Sequence, residues 1–331
     1  MGWLIWLGSR NRPDPLWAEA GYLLKQPATL VADVPDSLQA LYCLLHRREF
    51  VPGDSTAYRL VMHPGPTNLE WTTFRQVVLA AAYSPLRRIV ISGVTGVGST
   101  KQGKRAANLL AGSPERVLQI DCAPWFDVEF HKKYIGQKDE KGRFYEGELL
   151  QFWDLCRQHP DQKFVAVFDN FDKINPETFF GPALWEALSA KKPVAEVGEM
   201  LIDLPENCYL ISITHYGPGS VVEFNGEHFK RLGDRFLLPV SPRDLVAWLR
   251  LQEQGGEKDP ARLAALRDTA QMHRFLFCFL KVNQMLEKKY SIGHTMGQGS
   301  NLRPLYMDAE RPKLKTAVMN HLNALNPTHP L

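Results

Sequence analysis

Several features that would place a chain in a class at once are missing here. The five cysteines, Cys43, Cys122, Cys156, Cys208 and Cys278, are scattered and odd in number, and no two form a CxxC pair. A zinc knuckle or a disulfide framework is thereby excluded, and reduced, mostly buried thiols of a cytosolic protein are expected. The excess of basic over acidic side chains is only +3, too small to bind nucleic acid by bulk charge, although a local basic strip is compatible with it. Long apolar runs are absent. The apolar start Met1–Gly8 has no basic flank ahead of it and soon meets Arg10 and Arg12. It is expected to tuck onto a domain rather than span a bilayer, with a peripheral membrane or partner contact as the alternative. Internal repeats and low-complexity tracts are missing too.

What is present is an ordinary globular composition. The chain has 331 residues, 44% hydrophobic and 23% charged, enough for two or three modules at roughly 150 residues each. Residues 1–83 hold helical patches at Leu38–Arg48 and Phe74–Tyr83 between Pro- and Gly-bearing turns, and read as a small, mostly helical N-terminal region. Residues 84–240 differ. Arg88–Ser92, Val117–Asp121, Phe164–Phe168 and Cys208–Ile213 are short β-branched or aromatic runs with little alternation. That pattern suits strands buried on both faces of a parallel sheet, and their alternation with helical segments predicts a doubly wound α/β domain. In residues 241–331 the strand signal disappears. The dense apolar run Met272–Leu280 is expected as the core of a helical lid.

The strand at Arg88–Ser92 runs into a glycine-rich turn and then a helix. Such a turn lets backbone amides approach phosphate oxygens, and the helix that follows adds its N-terminal dipole. Two registers are open. In one, Gly93, Gly96 and Gly98 form the loop, Ser99 stands where a lysine belongs, and Thr100 supplies the magnesium-binding hydroxyl. Lys101 or Lys104 then reaches back as the substitute cation. In the other, Gly98-x-x-x-x-Gly103-Lys104 has the spacing, but Arg105 replaces the hydroxyl residue. The first abuts the strand and is preferred. The run Phe164–Asp169 ends a buried strand in a carboxylate, where magnesium and its water shell would be oriented.

The segment Phe168–Gly181 resembles, without a gap, the acidic-strand stretch of McrB-type AAA+ P-loop proteins. Gly142–Gly147 followed by Leu150–Trp153, then Asn207–His215, then Val282–Leu286 followed by Tyr290–His294, resemble further family segments in the same order. The resemblance implies an AAA+ P-loop NTPase with a parallel sheet core and a C-terminal helical lid, binding ATP or GTP with Mg2+. It assigns Thr100 and Asp169 to the metal, Asn170, Asp172 and His215 to the surroundings of the attacking water, and His294 to nucleotide sensing or to fixing the lid loop. The family's catalytic glutamate is Asn170 here, and an amide cannot act as a general base; Asp172 is the candidate replacement. Arg235, or else Arg231, corresponds to the arginine that acts on a neighbouring subunit's site; the alternative is a local ion pair of Arg235 with Asp234 or Asp244. A homo-oligomeric ring or arc follows, with slow hydrolysis and a partner protein in trans. Lys132, Lys133 and Tyr134 lie where such rings project loops toward nucleic acid or polypeptide. A charged, solvated surface loop is the alternative there.

Overall fold

The computed structural model describes residues 36–47, 71–94, 96–123, 127–197, 200–215, 222, 224–238, 249, 259–290, 296, 316, 318–320 and 322. The chain forms two compact units, one of Ala32–Gly65 and Trp71–Pro239, the other of Met1–Val31, Pro66–Glu70 and Val240–Leu331. The helices α1 (Asp36–Leu45) and α2 (Trp71–Tyr83), from the region expected to be N-terminal and helical, belong to the first unit.

That unit is built on five parallel strands: β1 (Arg88–Gly93), β2 (Val117–Asp121), β5 (Phe164–Asp169), β8 (Cys208–His215) and β9 (Asp234–Leu238). They stand in the order β2-β5-β8-β1-β9. Between them lie α3 (Ser99–Ala111), a helical turn α4 (Asp127–Phe130) that widens into a π-turn at His131–Ile135, and α5 (Glu148–Gln158). The later helices are α6 (Pro176–Phe180), α7 (Pro182–Ala187) and α8 (Gly226–Leu232). Two short antiparallel ribbons, β3 (Gly136–Lys138) with β4 (Phe144–Glu146) and β6 (Val194–Val197) with β7 (Met200–Asp203), stand apart from the sheet.

Every residue of β1 and β5 is buried, as their unbroken apolar runs predict. The edge strand β2 departs from that expectation. Only Ile120 is buried in it, because β2 has a strand neighbour on one side alone. Helix α2 packs on α3, β1 and β9, and α1 packs on α3. Leaving β1, the chain passes over β8 and β5 to reach β2, whereas β9 is added on the other flank. The C-terminal end of β1 is therefore a topological switch point, where connections diverge and open a crevice.

In the second unit, α9 (Pro260–Arg267) is followed by α10 (Thr269–Lys289). Met272, Phe275, Leu276, Phe279 and Leu280 are buried along α10, so the expected apolar run is a core. The Asn283 amide then donates to Met296 O and accepts from Met296 N, both at 2.8 Å.

Candidate functional site

At the switch point β1 ends in Gly93, and Val94–Gly98 must turn the chain into α3. Gly96 (φ 84°) and Gly98 (φ 94°) adopt left-handed backbone, a conformation that costs glycine little and other residues more. Helix α3 starts with no side-chain cap and no acid in its first turn, so its positive end stays available to an anion. Of the glycines of the two registers, Gly93, Gly96 and Gly98 precede the helix and Gly103 lies within it. Gly103 lies inside α3, and a Cβ there would stand 2.5 Å from Ile213 Cδ1. It is a packing glycine that lets the helix approach the sheet. Ser99, at the place of the expected lysine, is only 4% exposed.

The acid strand meets this turn directly. Asp169 closes β5, 4% exposed, and Thr100 Oγ1 donates to its Oδ1 at 2.8 Å. The Asn170 backbone N–H donates to the same oxygen at 3.1 Å, and Lys104 Nζ lies 3.0 Å from Oδ2. Thr100 and Lys104 are one turn apart and share a face of α3. Of the two candidate cations, Lys104 is the one at the acid. The exposed Lys101 has its pKa lowered by desolvation and by nearby Arg105. On the other face of β5 the chain builds an aromatic cluster: Phe168 and Phe171 have ring centroids 5.0 Å apart, and Phe179 and Phe180 meet edge to face at 4.8 Å. This cluster explains the density of phenylalanine in the Phe168–Gly181 segment.

The remaining site residues divide. Asn170, in left-handed backbone (φ 56°), donates from Nδ2 to Asp121 Oδ1 at 2.9 Å. Asp172 is 1% exposed, and its Oδ1 accepts from His215 N at 2.9 Å and faces His215 Nδ1 at 3.3 Å. Burial pushes its pKa up, but the His215 hydrogen bonds and the Lys173 charge outweigh this and hold it below the ordinary value. Asp172 therefore fixes the end of β8 and has no exposed oxygen to offer a water. Asp121, which the sequence pattern did not single out, ends β2 in register with Asp169. Its signal was the carboxylate closing the strand run, the same signal that pointed to Asp169.

Arg235 sits opposite Val90 near the start of β9, three positions before the pair Gly93–Leu238. Its guanidinium lies 5.7 Å from the Phe229 ring centroid. With Tyr83, Pro85, Ile89 and Phe236 it lines a cavity of about 280 Å³ at the sheet end away from Gly93. Arg231 is engaged within the chain by the Trp185 carbonyl, Glu227 and Glu186. His294 and Asp244 lie outside the described residues. Tyr134 is not the stacking platform its position suggested. The π-turn rolls it inward to 6% exposure, against Phe130 and Phe179.

Thr100 and Asp169 present two hard oxygen donors side by side, which fits magnesium completed by phosphate oxygens and water. Among the described residues no group of three His, Cys, Asp or Glu side chains could hold a metal by itself. Cys43, Cys122, Cys156, Cys208 and Cys278 are all free. No helix among the described residues is long and apolar enough to cross a membrane.

A five-stranded parallel sheet in this order, with a glycine turn into a helix after the interior strand β1 and an acid facing it from β5, defines an AAA+ P-loop NTPase fold. In sequence the chain is McrB-like. It is 25% identical over 142 residues to the type IV methyl-directed restriction enzyme EcoKMcrB subunit of Escherichia coli K12, covering 38% of this chain and 30% of that protein. It is 30% identical over 95 residues to the ClpA homolog of Cyanidium caldarium, an ATP-dependent Clp protease ATP-binding subunit, covering 29% of this chain and 11% of that one. An ATP-dependent protease ATP-binding subunit-like protein of Rhodococcus erythropolis is 24% identical over 151 residues, covering 46% and 42%. The chain thus spans less than half the length of each of these relatives. No protein-family model matches it. Among solved structures, closed-state Hsp104 aligns with a TM-score of 0.44 at 14% identity, covering 79% of this chain and 48% of that one. NtrX of Brucella abortus aligns with a TM-score of 0.39 at 16% identity, covering 67% and 52%.

Proposed function

We propose that the protein binds ATP or GTP with Mg2+ at the Val94–Gly98 turn, assembles through nucleotide-bridged subunit contacts, and passes its nucleotide state to a partner protein. The observation that carries this is the meeting of Thr100 with Asp169 at 2.8 Å, beneath an uncapped helix start. Gly93, Gly96 and Gly98 would let the backbone approach the phosphates. Thr100 and Asp169 would hold the metal and its water, and Lys104 would turn from Asp169 toward the outer phosphates. Arg235 would act on the neighbouring subunit's nucleotide. Bound magnesium supplies charge neutralisation on the phosphates. Hydrolysis is expected to be slow, because the residue after the strand acid is an amide. The partner acts in trans, as a protein or as nucleic acid along the Lys132–Lys133 segment.

A second reading is favoured by Lys104, which occupies Asp169 Oδ2: nucleotide serves as structural glue in a non-hydrolysing scaffold. One experiment separates the two. ATP and GTP are titrated in parallel, with mass and phosphate release followed against an Asp169→Ala control. Turnover above the control supports the NTPase, binding and assembly without it support the scaffold, and absence of binding refutes both.

A further inference from the structure

We infer that Asp121 supplies the carboxylate that Asn170 cannot, so that the general base has moved one strand across the sheet. This rests on the nucleotide reading above. Three carboxylates stand near the C-terminal ends of β2 and β5, and two are committed. Asp169 Oδ1 receives the Thr100 hydroxyl and the Asn170 backbone N–H, and its Oδ2 faces Lys104. Asp172 is buried and turned to His215. Asp121 is different. It is exposed, and its two hydrogen bonds, from Asn170 Nδ2 at 2.9 Å and Ala123 N at 3.0 Å, both fall on Oδ1. Those bonds fix the carboxyl plane and leave Oδ2 with its lone pairs for a water.

The chain of contacts is continuous: Thr100 to Asp169, Asp169 to Asn170, Asn170 to Asp121. An acid at its end lies on the same sheet edge as the phosphate turn. Asn170 is in left-handed backbone, which Asn tolerates well, and its side-chain amide donates to Asp121. In the step, water oxygen bonds to the terminal phosphorus and the bond from phosphorus to the bridging oxygen breaks. The water proton passes to Asp121 Oδ2 and then to solvent, leaving the diphosphate and inorganic phosphate. Asn170 is the positioning residue, holding the carboxylate in place.

The test exchanges the two side chains. Asp121→Asn, Asn170→Asp and the double exchange are compared with the unaltered protein and with Asp169→Ala. Three readouts are taken: binding of a fluorescent ATP or GTP analogue with Mg2+, single-turnover phosphate release, and melting temperature without nucleotide. Asp121→Asn is expected to bind nucleotide within threefold and to release phosphate about a hundredfold more slowly, the lower end of the general-base range. Asn170→Asp alone sets two carboxylates at one contact and is expected to lower the nucleotide-free melting temperature. The double exchange restores it and recovers hydrolysis to within tenfold. The inference is overturned, with the nucleotide reading intact, if Asp121→Asn hydrolyses within twofold of the unaltered protein. It is overturned likewise if the double exchange is no better than Asp121→Asn, or if the unaltered protein binds nucleotide yet releases no phosphate above Asp169→Ala. Failure to bind nucleotide at all overturns both.

Discussion

At the scale of single residues, chemistry here depends on which oxygen faces which donor. Asp169 is held by three groups, and Lys104 alone carries a charge to its Oδ2. Lys104→Ala is expected to weaken nucleotide binding about tenfold, or about 1.4 kcal/mol, in a titration with Mg2+ present; unchanged affinity would show that Lys104 only neutralises Asp169. Asp172 has the opposite business, since His215 ties it inside the fold. Its pKa is lowered on folding. The stabilisation it gives is therefore present above the unfolded carboxylate pKa of about 3.9 and is lost as pH falls through the lower folded value. Asp172→Asn should cost about 1–3 kcal/mol at pH 7, and the gap to the unaltered protein should shrink in urea melts taken in acid. Asp169 was legible in the sequence because a carboxylate ends a buried run. Asp121 ends a similar run but carries no family signature, and only its contact with Asn170 gives it meaning.

At the scale of elements, strands buried on both faces were the easiest to read, since β1 and β5 are continuous apolar runs. The ribbons were not legible. β3 and β4 have three residues each and β6 and β7 four each, too few for a periodicity, and their pairing comes from chain reversal. Helix α3 is legible as a helix, but its closeness to the sheet is set by Gly103. Gly103→Val should force the helix off Ile213 and Ile91, at a cost of about 1–3 kcal/mol for overpacking, measured as a shift in the denaturation midpoint. At the other end of β1, the buried Arg88 guanidinium donates to Leu188 O at 2.8 Å and Ala190 O at 2.9 Å. Desolvation, then Arg87, lowers its pKa to about 10. Arg88→Ala would leave two carbonyls without that partner and a void beside them, so a loss of about 3 kcal/mol or more is expected on unfolding.

At the scale of the whole molecule, the role proposed for Arg235 needs a second copy of the chain. Its place near the start of β9, away from the chain's own phosphate turn, suits action on a neighbour. Arg235→Ala is expected to leave nucleotide binding by the single chain nearly intact, while reducing nucleotide-dependent assembly and phosphate release at least tenfold, as followed by mass and turnover together. A loss of monomer stability with no change in assembly would make it a packing residue instead. The order of motifs along the chain already determined the α/β class, the strand that bears the turn, and the acid that answers it, because each is written in local runs of a few residues. The tertiary structure alone decided which lysine meets Asp169, that Gly103 packs inside α3, and that Tyr134 faces inward. It also decided that Asp121 stands beside Asn170. Those outcomes are distances between segments far apart in the chain, and no local pattern of side chains encodes a distance across a sheet.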